Sequence, residues 1–208
     1  MGGAILEEWV RHLQKMTIIN IGANDGMDDC RDFVLANQKQ ISRVLIVEPS
    51  EEALAKCKEN YAGIPNIEFH NLAIVSDDSN GAILYSPKNQ PDSHHSSLIP
   101  NHALLHGHKQ IEGVAVRAMG IGTFLQRNNI EICDRLYIDT EGLDFYILMS
   151  LDFAKYRIGF IRYESYHFDG LGNKGQNHRF FNERLSSLGY IIKADGKWNE
   201  IAEKKWNT

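Results

Sequence analysis

Short aliphatic runs recur along the chain, each followed by a stretch whose apolar positions fall at helical spacing. Ile18, Ile19 and Ile21, interrupted only by Asn20, form the first run, and Gly22 and Gly26 bracket a polar turn after it. A helix is expected to begin near Asp28 and to run from Cys30 to Asn37 with Phe33, Val34 and Leu35. Arg43 to Val47 reads as the second strand, ending in Glu48-Pro49. Ser50 then offers an N-cap, Glu51 and Glu52 suit the first turn, and Ala53, Leu54 and Cys57 give an apolar stripe up to Gly63-Ile64-Pro65. Ahead of all this, Ile5, Leu6, Trp9, Val10 and Leu13 predict an amphipathic helix within residues 1–16, beside the first strand.

Further on, Ile67 to Val75 reads as a third strand, with Asp77 to Gly81 as a turn and a hairpin return from Ala82 to Tyr85. Residues 86–113 are polar and rich in Pro, Ser, Asn and His, which predicts an irregular substrate-side loop or lid. Val114 to Arg117 reads as a short strand and Gly122 to Asn128 as a helix. Arg135 to Asp139 reads as a fourth parallel strand running into Asp139-Thr140-Glu141-Gly142, and Phe145 to Leu151 as a helix. Gly159 to Tyr163, ending in Glu164, is strand five; Asn177 to Leu188 is a helix closed by Gly189; Tyr190 to Ile201 form a terminal hairpin around Asp195-Gly196. The alternation predicts one α/β domain over residues 1–208: a mostly parallel, Rossmann-like sheet with helices on both faces and a C-terminal antiparallel hairpin.

Composition narrows the partners. A net charge of −5 without a basic run lacks the footprint that phosphate-backbone binding requires, so nucleic acid is not expected. Cys30, Cys57 and Cys133 are widely spaced, which predicts buried reduced thiols in place of a disulfide framework or zinc motif. Glu7 and Glu8 interrupt the amino-terminal apolar residues, so neither a signal peptide nor a membrane anchor is read there, and the expected location is cytoplasmic. Oligomeric state is not legible.

Polar residues gather where strands end: the Gly22 to Gly26 turn, Glu48, Asn71 to Ala73, and Asp139 to Gly142. Ligands of open α/β sheets bind at such carboxyl ends. Glu48 follows Gly26 by 22 residues, near the ~20-residue offset at which an acid meets ribose hydroxyls. The turn is GxxxG without the GxGxxG that accommodates a pyrophosphate, and it holds Asp25 but no Lys or Arg. That favours the ammonium-bearing methionine part of S-adenosylmethionine over a dinucleotide.

These residues resemble the FkbM-type S-adenosylmethionine-dependent methyltransferases of the class I superfamily. The likeness runs through INIGANDG (Ile19 to Gly26), IVEPS (Ile46 to Ser50), NLAI (Asn71 to Ile74), Ser96-Ser97-Leu98, IDTEGLDFYIL (Ile138 to Leu148) and RYES (Arg162 to Ser165). It implies a seven-stranded sheet and methyl transfer, commonly to a hydroxyl of a sugar or natural product. It also implies Gly22, Ala23, Asn24 and Gly26 on the methionine side, Glu48 on the ribose and Asp139 near the amino group. Asn20, Asp25, Pro49, Ser50, Asn71, Ala73 and Ser97 complete the expected cofactor set. The family usually has Asp where this chain has Asn20, so the charge facing the ammonium is expected from Asp25 or Asp139.

Methyl transfer to a hydroxyl needs alignment and a proton acceptor. Asp139, Glu141, Glu164 and His167 follow strands four and five and are the catalytic candidates; the plainer reading is helix caps, a buried acid and a solvated histidine. His94, His95, His102, His106 and His108 crowd the polar insertion, and His102 and His106 share a face if that segment is helical. A metal site on this segment is the lesser reading, because no acid is interleaved among them and polar lids often carry histidine without metal, so no metal ligand is assigned. Tyr163, Tyr166, Phe168 and Trp198 are candidate walls of an acceptor pocket, although aromatic residues at strand ends are more often core. A non-catalytic module that binds the same cofactor and, less favoured, an NAD-dependent enzyme are the alternatives.

Overall fold

The computed structural model describes residues 15–78 and 81–204. The expected amino-terminal helix therefore lies outside the described residues, except that Met16 opens the first strand. In chain order the elements are β1 (Met16–Ile21), α1 (Asp29–Asn37), β2 (Ile41–Val47), α2 (Glu51–Asn60), β3 (Ile67–His70), β4 (Ala73–Val75) and β5 (Ala82–Pro87). Then follow α3 (His102–Leu105), β6 (Ile111–Val116), β7 (Ala118–Gly120), α4 (Ile121–Arg127), β8 (Ile132–Ile138), α5 (Asp144–Ser150), β9 (Arg157–Glu164), α6 (Gln176–Ser187), β10 (Ile191–Asp195) and β11 (Asn199–Glu203).

Seven strands form one sheet in the order β10-β11-β9-β8-β1-β2-β3. The five from β9 to β3 are parallel, and β11 and β10 add antiparallel at one edge. The chain builds outward from β1 to β3 and resumes on the other side of β1 at β8, so β1 and β8 flank the topological switch point. A crevice opens there because the connections leave the two carboxyl ends in opposite directions.

Alternation along the central strands decides which face each side chain joins. Ile19, Ile21, Leu45 and Val47 pack with Phe124, Leu125, Ile147, Leu148, Phe181 and Leu185 under α4, α5 and α6. Ile18, Val44 and Ile46 pack with Cys30, Val34, Leu54 and Cys57 under α1 and α2. Both faces are thus dry, which is why β1 and β2 read as nearly continuous aliphatic runs. Each such buried side chain contributes about 1.5–3 kcal/mol. All three cysteines are free and buried, as expected.

Three expectations are corrected. Ile67 to Val75 is two strands: β3 extends the main sheet, whereas β4 leaves it at Asn71-Leu72 and pairs in parallel with β7. Ala82 to Tyr85 does not fold back on that segment, because β5 pairs antiparallel with β6. Asp78 before it instead reaches α4, accepting from the Gly120 N–H at 3.3 Å and the Thr123 hydroxyl at 2.8 Å. Finally, residues 86–113 are not wholly irregular: their ends belong to the β5–β6 ribbon, and α3 lies within the loop between them.

Candidate functional site

The turn after β1 is shaped by two glycines at positive φ, Gly22 at 76° and Gly26 at 75°. A Cβ on Gly22 would overlap the Asp139 carbonyl of the neighbouring strand, and one on Gly26 would stand 2.5 Å from Cys57 Sγ. Glycine thus lets the turn lie flat against both β8 and α2. Asn24 also adopts positive φ, at 47°, a conformation Asn tolerates better than most residues. Asp25 caps the turn locally, its carboxylate accepting the Met27 N–H at 3.0 Å, while Asn60 of α2 donates to the Asp25 carbonyl at 2.8 Å.

Glu48 holds this turn from the end of β2. Its Oε2 accepts the Asn24 N–H at 2.9 Å and its Oε1 the Ser50 N–H at 2.8 Å. The carboxyl is buried, and burial, opposed by those two amides, pushes its pKa up to about 7. Each carboxylate oxygen has two lone pairs, so one on each remains for a ligand. Ser50 caps α2 through the Ala53 N–H at 3.2 Å and donates its hydroxyl to the Pro91 carbonyl at 2.9 Å.

Around these groups lies an open cleft at the carboxyl ends of the strands. Gly22, Asn24, Glu48, Pro49, Ser50, Ala73, Ser97, Asp139 and Glu141 all line it. Asn71 does not: its side-chain amide braces the wall from outside, donating to the Glu48 and Pro49 carbonyls at 3.1 and 3.0 Å. Ala23 and Asp25 line a second recess on the far side of the turn, with Asn20, Asp28, Asp139 and Arg162.

That recess answers the question raised by Asn20. The Asn20 side chain is buried and donates to Asp28 Oδ2 at 2.6 Å. Asp28 is also the N-cap of α1, accepting the Arg31 N–H at 2.9 Å, and burial raises its pKa. A carboxylate thus stands beside Asn20, contributed by Asp28, a residue that sequence reasoning took only as a helix start. The polar run after Gly26 was the available signal.

The inner end of the site is acidic. Asp139 is exposed on the cleft wall; the protein packed around its carboxyl, then the charges of Asp144 and Glu141, raise its pKa well above the usual range. Asp144 is buried and accepts the Thr140 N–H at 3.0 Å and its hydroxyl at 2.6 Å. Burial, then Asp144, raises Glu141 to about 8. Glu164 and His167 stand behind this wall and do not line the cleft, with His167 Nε2 3.4 Å from Glu164 Oε1. Burial raises Glu164, reinforced by Asp139, and lowers His167 to about 4, reinforced by His102.

The loop between β5 and β6 closes over the cleft by backbone and side-chain contacts. Ser97 pairs with Tyr85 in both backbone directions, and its hydroxyl donates to the Glu141 carbonyl at 2.8 Å. His102 Nε2 lies 2.7 Å from Glu141 Oε2, and His106 Nε2 lies 3.1 Å from His102 Nε2. The segment is helical at His102, as the shared face required, and the acid missing from the segment itself comes from the end of β8. The aromatic candidates do not line the cleft: Tyr163 and Phe168 are core, and Trp198 is exposed.

A family model described as the methyltransferase FkbM domain matches residues 20–192. Among solved structures, a methyltransferase FkbM from Methylobacillus flagellatus KT aligns at TM-score 0.53 and 12% identity, over 91% of this chain and 44% of that one. The chain therefore spans less than half of that protein's length, and the likeness is one of fold. A putative methyltransferase from Streptococcus mutans in complex with SAH aligns at TM-score 0.47 and 10% identity, over 99% of each chain. No curated protein sequence matches the chain.

Proposed function

The chain belongs to the methyltransferase FkbM family, and from that premise we propose that it binds S-adenosylmethionine and methylates a hydroxyl oxygen of a small molecule, a sugar or natural product. The observation that carries this reading is the convergence of the Gly22 to Asn24 turn, Glu48 and Asp139 on one cleft at the switch point. The residues fit the cofactor. Glu48 keeps free lone pairs for two ribose hydroxyls, and Gly22 lets the turn lie against Asp139 at the rim of the cleft. The acids Asp28 and Asp139 suit an ammonium.

When bound, S-adenosylmethionine supplies an electrophilic methyl group on a sulfonium. The chain contributes position and proton acceptance. Glu48, Asn24 and the loop serines orient the ligand, and Ser97 keeps the loop against Glu141. A hydroxyl acceptor must release its proton, and Asp139 and Glu141 on the cleft wall are the groups that would take it, with Glu164 and His167 behind them. Calorimetric titration with S-adenosylmethionine and S-adenosylhomocysteine tests the reading. Absence of binding by a chain that still unfolds cooperatively would end it.

A further inference from the structure

We propose that this chain holds a divalent transition-metal ion of the zinc class between the loop helix and the end of β8, bound by His102, His106 and Glu141 with His167 on the fourth side. One ligand atom from each of the four lies within 4.8 Å of the others. Donor atoms around tetrahedral zinc stand ~3.3–3.5 Å apart, given bonds of ~2.0–2.1 Å. The observed separations of 2.7 Å between His102 and Glu141 and 3.1 Å between His102 and His106 are shorter than that, so the side chains would move apart by less than about 1 Å to admit an ion.

Hydrogen bonding alone serves this arrangement poorly. A neutral imidazole nitrogen carries at most one hydrogen, yet His102 Nε2 faces both a carboxylate oxygen and a second imidazole nitrogen. A cation answers all three lone pairs at once. The backbone is also held for it: Glu141 sits at φ 53° and Gly142 at 105°. A non-glycine residue there costs on the order of 1 kcal/mol and persists only where its surroundings fix it. This bend turns the Glu141 carboxylate towards His102 while its carbonyl accepts from Ser97.

A second, independent observation points the same way. Glu164 Oε2 is buried without a hydrogen-bond partner among the described residues, and Glu164 Oε1 stands 3.4 Å from His167 Nε2. A buried carboxyl group behind a histidine is the kind of support by which proteins orient metal-ligating imidazoles. His167 Nδ1 already accepts the Gly172 N–H at 3.0 Å. His167 therefore has partners at both nitrogens and is the weakest of the four ligands. Three imidazoles and one carboxylate select zinc-class ions over magnesium or calcium, which prefer oxygen. Because His102 and His106 belong to the loop and Glu141 to the sheet, the ion would clamp the loop over the cleft.

The test of this site reads the ion alone and so stands apart from the methyl-transfer reading; with an ion on Glu141, Asp139 is the cleft-wall acid left to take an acceptor's proton. The full chain, stripped with EDTA, is titrated with Zn²⁺ by calorimetry and with Co²⁺ by visible absorption. One equivalent is expected, with the intense cobalt bands of a tetrahedral site. His102→Ala and His106→Ala are each expected to weaken binding by at least ~100-fold, the upper range for loss of a supporting group, and His167→Ala by less. Glu141→Gln, which keeps shape and hydrogen bonding, is the control for variants that fail to fold and is expected to weaken binding as well. The proposal is overturned if the stripped, folded chain binds no zinc or prefers Mg²⁺, or if Glu141→Gln binds as wild type. Loss on His108→Ala with retention on His102→Ala would overturn it too, assigning the ion to the neighbouring His95–His108 pair, whose nitrogens are 2.8 Å apart.

Discussion

The Asn24 backbone N–H donates to Glu48 Oε2 at 2.9 Å, so the acid at the end of β2 fixes the turn at the end of β1. Glu48 thus shapes the turn as well as facing the cleft. Loss of its carboxylate removes a turn anchor and, on the proposed function, two ribose acceptors. Glu48→Ala is expected to weaken S-adenosylmethionine binding by roughly 10- to 100-fold, the equivalent of about 1.5–3 kcal/mol for a charge-assisted hydrogen bond. Its effect on the urea midpoint should be smaller. Equal affinity in calorimetry would refute the ribose assignment.

The same residue sets a pH dependence. Glu48 titrates near 7 in the folded chain and near 4.5 when solvated. The folded state therefore holds its proton more tightly, and stability falls as pH rises from about 4.5 to about 7, by at most about 3 kcal/mol. Cofactor affinity should move the opposite way, rising through neutral pH as the ionised carboxylate gains acceptor strength. Urea unfolding and calorimetry at pH 5 and pH 8 check both, and Glu48→Gln should flatten the two profiles.

Gly22 lies where two strands nearly touch. Alanine there would combine a left-handed backbone with overlap on the Asp139 carbonyl. The expected loss is at least about 2 kcal/mol of stability, together with the loss of cofactor binding. A wild-type melting temperature would show that the turn is looser than described.

Asp28 carries the charge beside Asn20. Asp28→Asn retains a side chain that caps helices well, so stability should change little. On the proposed function it should weaken S-adenosylmethionine binding several-fold, as expected for a partly buried charge pair of about 1 kcal/mol. Binding of 5′-methylthioadenosine, which lacks the amino-acid part, should hardly change. An equal loss for both ligands would place Asp28 outside the ammonium site.

Local pattern determined much of this protein. The aliphatic run of β1, the glycine turn, the Ser50 cap and the acidic strand ends were legible because each depends on residues close in sequence and on fixed periods of two or 3.6. Burial of both sheet faces followed from the unbroken hydrophobicity of β1 and β2. Only the tertiary structure decided that Ile67 to Val75 divides between two sheets and that β5 pairs with β6, because strand partners are chosen by long-range register. It likewise decided that Asp28 neighbours Asn20 across the turn, and that Glu141 meets His102 from 39 residues away. The histidines in the loop carried no local sign of their acid, since a metal-type cluster is defined by convergence in space, and convergence is set by packing.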